Sequence, residues 1–134
     1  MPDPEPDNSD LRRRVQALDT QHARILVLAR EALDLAIEYK VDGLHRALDL
    51  LHKRLNEHFE DEERLLQELQ FEGLVDHCES HMALMERFAE LLVQVATGGA
   101  STGEVVKFIE GPIKGHFGIT DAPIDLFLRT ATSR

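Results

Sequence analysis

Apolar residues in this 134-residue chain recur in steps of three and four, and that rhythm limits the fold more tightly than any other feature. From Asp10, which reads as an N-cap, Leu11, Val15, Leu18, His22, Ile25, Ala29, Leu33 and Ala36 fall on one stripe of a helix. After Asp42, a second candidate cap, Leu44, Leu48, Leu51, Leu55, His58, Glu62, Leu65 and Leu69 form another. Past Gly73 come Leu74, His77, His81, Leu84, Phe88, Leu91 and Val95. Ser101 and Glu104 make a capping box ahead of a weaker stripe of Val105, Ile109, Pro112 and His116. Strand-type alternation is absent. Four amphipathic segments on short connections predict an all-α fold, an antiparallel up-down-up-down four-helix bundle.

Proline and glycine mark the boundaries. Three of the five prolines lie in the first six residues, alternating with Asp and Glu, so residues 1–9 read as a disordered acidic tail and 10–134 as one bundle domain. The first three helices are expected to run about 23 to 30 residues, or about 35 to 45 Å. The fourth is expected to start near 102, to bend at Gly111-Pro112 where a backbone donor is missing, and to end between 117 and 122. Ile124, Phe127 and Leu128 then pack back as a short turn of helix.

The charge balance narrows the partners. With 25 acidic against 15 basic residues the net charge is −10, which repels the phosphates of nucleic acids and anionic membranes. No apolar run is long enough to span a bilayer, and Cys78 stands alone, so no internal disulfide forms. The N-terminus lacks a basic and apolar secretory signal, and the expected compartment is the cytoplasm.

Polar residues occupy places where a bundle seam prefers leucine. His22, His58, Glu62, His77, His81 and His116 all lie on the seam, where an unpartnered polar group carries a desolvation cost. One such histidine is usually a hydrogen-bonded core residue; five across four helices strain that reading. His58 with Glu62, and His77 with His81, are spaced i, i+4, so each pair projects from one helix face and can converge on a metal. Asp121 lies five residues after His116, and reaches the same interior only where the backbone is distorted, as by a π-bulge; otherwise it caps the segment opened by Pro123. This mixed nitrogen and oxygen set exceeds what one zinc ion takes and suits two borderline divalent ions such as iron. No Glu-x-x-His motif occurs, which disfavours a ferritin-like carboxylate centre. His45 and His52 read as solvated, Cys78 as a free thiol, and Glu57, Glu60, Asp61 and Glu63 as a solvated acidic face.

These residues resemble the hemerythrin family, and the single-domain bacterial hemerythrins in particular. The stretch Leu18-Asp19-Thr20-Gln21-His22, then His58-Phe59-Glu60-Asp61-Glu62-Glu63, then His77 and His81, then His116 through Asp121 follow the family pattern over about residues 10–125. The resemblance implies a di-iron centre in the core. His77, His81 and His116 would ligate one iron and His22 and His58 the other, with Glu62, Asp121 and an oxo or hydroxo group bridging. It also implies reversible dioxygen binding for storage, delivery or sensing, without enzymatic turnover, behind apolar walls for which Ile25, Leu26, Leu55, Phe59 and Ile113 are the candidates, with ordinary core as the equal alternative for each. The alternative is a di-iron peroxidase or a scavenger of nitric oxide or peroxide at the same centre, and a sensing role would add a protein partner acting in trans. Relatives often carry Trp where this chain has Pro112, so faster autoxidation is expected here.

Overall fold

A computed structural model describes residues 8–133, and every regular element among them is helical. Helix α1 covers Asn8–Ile37, α2 Val41–Glu68 and α3 Leu74–Ala96. The remainder is segmented into α4 (Thr102–Phe108), a first π turn (Ile109–Ile113), a second (His116–Thr120) and α5 (Ala122–Thr132). The Ser101 hydroxyl accepts from the Glu104 amide and caps α4 as the capping box predicts. No helix among the described residues is long and apolar enough to cross a membrane.

Three expectations need correction. Asn8 and Ser9 are already helical, so the disordered tail can concern only residues 1–7, which lie outside the described residues. Asp10 and Asp42 are not caps: both sit within the first turn, where an acid still complements the helix dipole. The final apolar patch belongs to an 11-residue helix, because Pro123 starts it and Ile124 and Leu128 bury one turn apart on the same face.

Helices α1, α2 and α3 all end the same way. The amides of Lys40, Phe71 and Gly99 reach back to the carbonyls of Leu35, Leu66 and Gln94, while the preceding residue takes a left-handed conformation. Glycine fills that position once, at Gly98; in the other two turns it is Tyr39 (φ 58°) and Gln70 (φ 57°).

Helix α1 packs along α2, α2 along α3, and α4 returns onto α1. Phe88 of α3 meets Phe108 of α4 edge to face at 5.1 Å, closing the core. Buried apolar residues form two clusters. The larger gathers Ile25 to Ala36, Leu44 to Phe59, Leu84 to Leu91 and Val105 to Ile113; the smaller joins Leu18, Leu65, Leu66, Ile124 and Leu128. Glu62, His77, His81 and His116 fall along the sequence between members of the two, and His58 lies at the edge of the larger one, between Leu55 and Phe59. A polar layer is thus sandwiched between leucine-rich ones.

Replacing Gln70 with glycine removes a left-handed strain of about 1 kcal/mol, so Gln70→Gly is expected to raise stability in urea denaturation by up to that amount while Gln70→Ala leaves it unchanged.

Candidate metal centre

The segmented fourth helix makes the centre. Ordinary helical geometry turns residue 121 away from residue 116; here the Asp121 amide bonds to the His116 carbonyl at 2.9 Å, an i to i+5 link that widens the turn. The extra residue carries Asp121 round to the His116 side. The first π turn does the equivalent job at Pro112, whose ring would otherwise collide with the turn before it. The expected bend near 111 is therefore two π turns rather than one kink.

One ligand atom from each of His77, His81, His116 and Asp121 lies within 4.8 Å of all the others. Glu62 enters the same group from α2: its Oε1 lies 2.5 Å from His77 Nε2 and 3.4 Å from His81 Nε2, while its Oε2 faces His58 Nε2 at 3.7 Å. Asp121 Oδ1 lies 3.1 Å from His116 Nε2 and 3.6 Å from His77 Nε2. His22 stands apart, half-buried, with its ring stacked on Phe117 at 4.3 Å.

Buried His81 Nε2, His116 Nε2 and Asp121 Oδ1 have no hydrogen-bond partner among the described residues. Leaving three such atoms unmet costs about 1–3 kcal/mol each, unless a cation takes up their lone pairs. Acceptors converging without donors are the chemistry of a metal site, and imidazole nitrogens with carboxylate oxygens suit a borderline divalent ion.

Neighbouring side chains fix the tautomers. His81 Nδ1–H donates to Glu63 at 3.0 Å, turning the Nε2 lone pair inward. His58 Nδ1–H donates to the Gln21 carbonyl at 2.9 Å, and the Gln21 amide donates to Asp61 at 2.8 Å. Glu63 and Asp61 thus leave the solvated acidic face to which the sequence assigns them. Gln21 was not singled out at all; its position beside a seam histidine, facing the polar edge of α2, is the signal that could have found it. Phe117 was missed too, since no stripe continues past His116.

Burial and charge pairing oppose each other at the centre. Burial favours the neutral Glu62 acid, but hydrogen bonds from His77 and His81 and the charge of His58 outweigh it and hold the carboxyl at about 2. Burial lowers His58. It opposes charge on His81 as well, yet bonds to Glu62 and Glu63 win and raise that imidazole above 6.5. Burial and a bond to Glu63 push the Cys78 thiol up to about 11, which leaves it a free, unreactive thiol.

The expected walls are misplaced. Leu26 is 41% exposed, while Ile25, Leu55 and Ile113 pack into the larger apolar cluster. Phe59 does meet the centre, stacked on His81 at 3.7 Å. A cleft of about 380 Å³ opens instead onto His22, His58, Glu62 and Asp121, walled by Leu18, Phe117, Ile124 and Leu128. A second, of about 360 Å³, reaches His116 between Ala83, Gly111, Pro112 and Gly115. Of the two histidines read as solvated, His45 pairs with Asp49 at 3.3 Å, but His52 is half-buried, edge-on to Phe88 at 5.1 Å, and burial lowers its pKa.

Buried imidazoles and carboxylates gathered from α2, α3 and the π turn, with orphaned acceptors aimed at each other, define a helical cation-binding domain. The chain belongs to the hemerythrin HHE cation-binding domain family, whose model matches residues 13–121. Comparison with curated proteins and with solved structures gave no match.

His116→Ala is expected to lower metal retention at least about tenfold, and His45→Ala to leave it unchanged, as measured by metal content after dialysis against a chelator. Raised His81 stabilises the metal-free fold below pH 6.5 and loses that contribution as pH climbs through its folded value; depressed Glu62 contributes above pH 4.5 and loses it as pH falls toward about 2. A metal must displace the His81 proton, so affinity in chelator competition should fall at least about tenfold between pH 8 and pH 6.

Proposed function

We propose that this chain is a single-domain hemerythrin whose centre holds two iron ions and binds dioxygen reversibly, as a carrier or sensor rather than an enzyme. Glu62 carries the proposal. Its two oxygens address different histidines, Oε1 toward His77 and His81 and Oε2 toward His58, the division expected of a carboxylate shared by two metals. His77, His81 and His116 would hold one iron, His58 and His22 the other, with Glu62, Asp121 and an oxo or hydroxo group between them.

An antiparallel bundle is part of the same reading. Leu18 of the small apolar cluster on α1, and Leu74 packed against that cluster on α3, precede the polar layer, while Leu65 and Leu66 on α2 and Ile124 and Leu128 in α5 follow it, which supports alternating directions for the four helical stretches.

Two ferrous ions supply the electrons that dioxygen takes on binding and returns on release. The protein's own part is positioning. Gln21 accepts at the outer nitrogen of His58 and Glu63 at that of His81, which turns both inner nitrogens toward the centre. Leu18, Phe117, Ile124 and Leu128 supply the apolar part of the approach on the His22 side, and Asp19, Asp125 and Arg129 its charged part. One observation favours the alternative, a peroxidase or a scavenger of nitric oxide or peroxide: the second cleft gives solvent a way to His116 beside Pro112.

Metal analysis followed by anaerobic reduction and exposure to oxygen, read by visible absorption, tests the proposal. Two irons per chain and a band that disappears on deoxygenation support the carrier. Immediate oxidation with peroxide turnover supports the scavenger, and zinc alone or no metal overturns both. Pro112→Trp is expected to close the second cleft and slow autoxidation several-fold; an unchanged rate would remove that cleft from the account.

A further inference from the structure

The two ends of the centre are unequally prepared for metal. Ring centroids of His77 and His81 lie 4.2 Å apart, those of His81 and His116 4.9 Å, and those of His77 and His116 5.8 Å. With metal–nitrogen bonds of about 2.1 Å, neighbouring imidazoles on one ion place their centroids about 4.5 to 6 Å apart. The three rings match that range to within a few tenths of an ångström. His22 and His58 are 6.4 Å apart, beyond the range of neighbouring rings, and neither belongs to the group of ligand atoms that lie within 4.8 Å of one another.

The cause is visible in the ring contacts. Phe117, carried inward on the second π turn, stacks nearly parallel to His22, with 19° between the planes. His58 is tied down by Gln21, so His22 is the ring that must move. It has room to do so, because the 380 Å³ cleft opens on its side. Asp121 and Glu62 already sit near the other three histidines and add nothing that moves.

We infer that metal loading is stepwise, with the His77, His81 and His116 position filling first. Phe117 sets the interval between the two affinities by holding His22 in a stack outside the second position. His22 leaves Phe117 as the second ion binds, and the free energy of that stack is subtracted from the second step, while the edge-on contact of Phe117 with His116 at 5.6 Å needs no movement in either step. The inference rests on the two-metal reading given above, and makes Phe117 a positioning residue that acts through His22.

The test uses the metal-free full chain under anaerobic conditions, with Co²⁺ added stepwise and followed by calorimetry, visible absorption and bound metal after dialysis. Wild type is expected to bind two ions, the first at least about tenfold more tightly. His22→Ala should leave the first affinity within about twofold and weaken the second more than about tenfold. Phe117→Leu keeps apolar cover but loses the stack, and should tighten the second step by about two- to tenfold, the range of one aromatic pair, with the first unchanged. Circular dichroism establishes that both variants remain helical. Equal affinities in wild type, a loss of both steps in His22→Ala, or a second step that is unchanged or weaker in Phe117→Leu would each overturn the inference. Two-step Co²⁺ binding without any reversible oxygen response in the iron form defeats the oxygen reading alone; equal steps with a reversible response defeat this one alone.

Discussion

A carboxylate is buried in the middle of a leucine-lined seam, and the rest of the structure answers to it. Glu62 alone would be driven toward its neutral form by desolvation. Three histidines from α2 and α3, His58, His77 and His81, reverse that; Gln21 and Glu63 hold the outer nitrogens of His58 and His81, and Asp61 holds Gln21. The polar layer is therefore deep: charge at the centre, imidazoles around it, and amides and acids at the half-exposed edge. Metal-free, it is only partly satisfied, with three acceptors left over. The leucines above and below supply the stability that lets the chain tolerate this layer.

Much of this was legible because helical periodicity and ligand chemistry speak at the same positions. The three long helices follow from steps of three and four, and His58, Glu62, His77 and His81 follow from i, i+4 pairs on those stripes. What failed did so for physical reasons. Leu26 was placed in the wall from its sequence neighbourhood, yet one residue's rotation from Ile25 takes it to solvent. Asp61 and Glu63 look like surface acids because side-chain pairing across helices leaves no periodic trace. Residues 116–128 were hardest, since a π turn breaks the 3.6-residue period on which the reading relies.

The same π turn also explains why spacing alone left Asp121 undecided between cap and ligand. Five residues is too far for an α-helix and right for the wider turn closed by the Asp121 amide on the His116 carbonyl. A stretch that reads as poor helix is thereby the one that brings His116, Phe117 and Asp121 to the centre. Local regularity is given up where the chemistry needs an odd spacing.

Sandwiching the polar layer between two apolar clusters has a consequence for specificity of assembly. Leucine packs nearly as well against leucine one turn up or down, so a purely apolar seam would allow neighbouring helices to slide. Here a slip of one turn along α2 would push Glu62 or His58 among the leucines of one cluster and strand His77 and His81 opposite apolar partners. The buried polar set thus works as a vernier, fixing the axial registration of the helices through its own side chains.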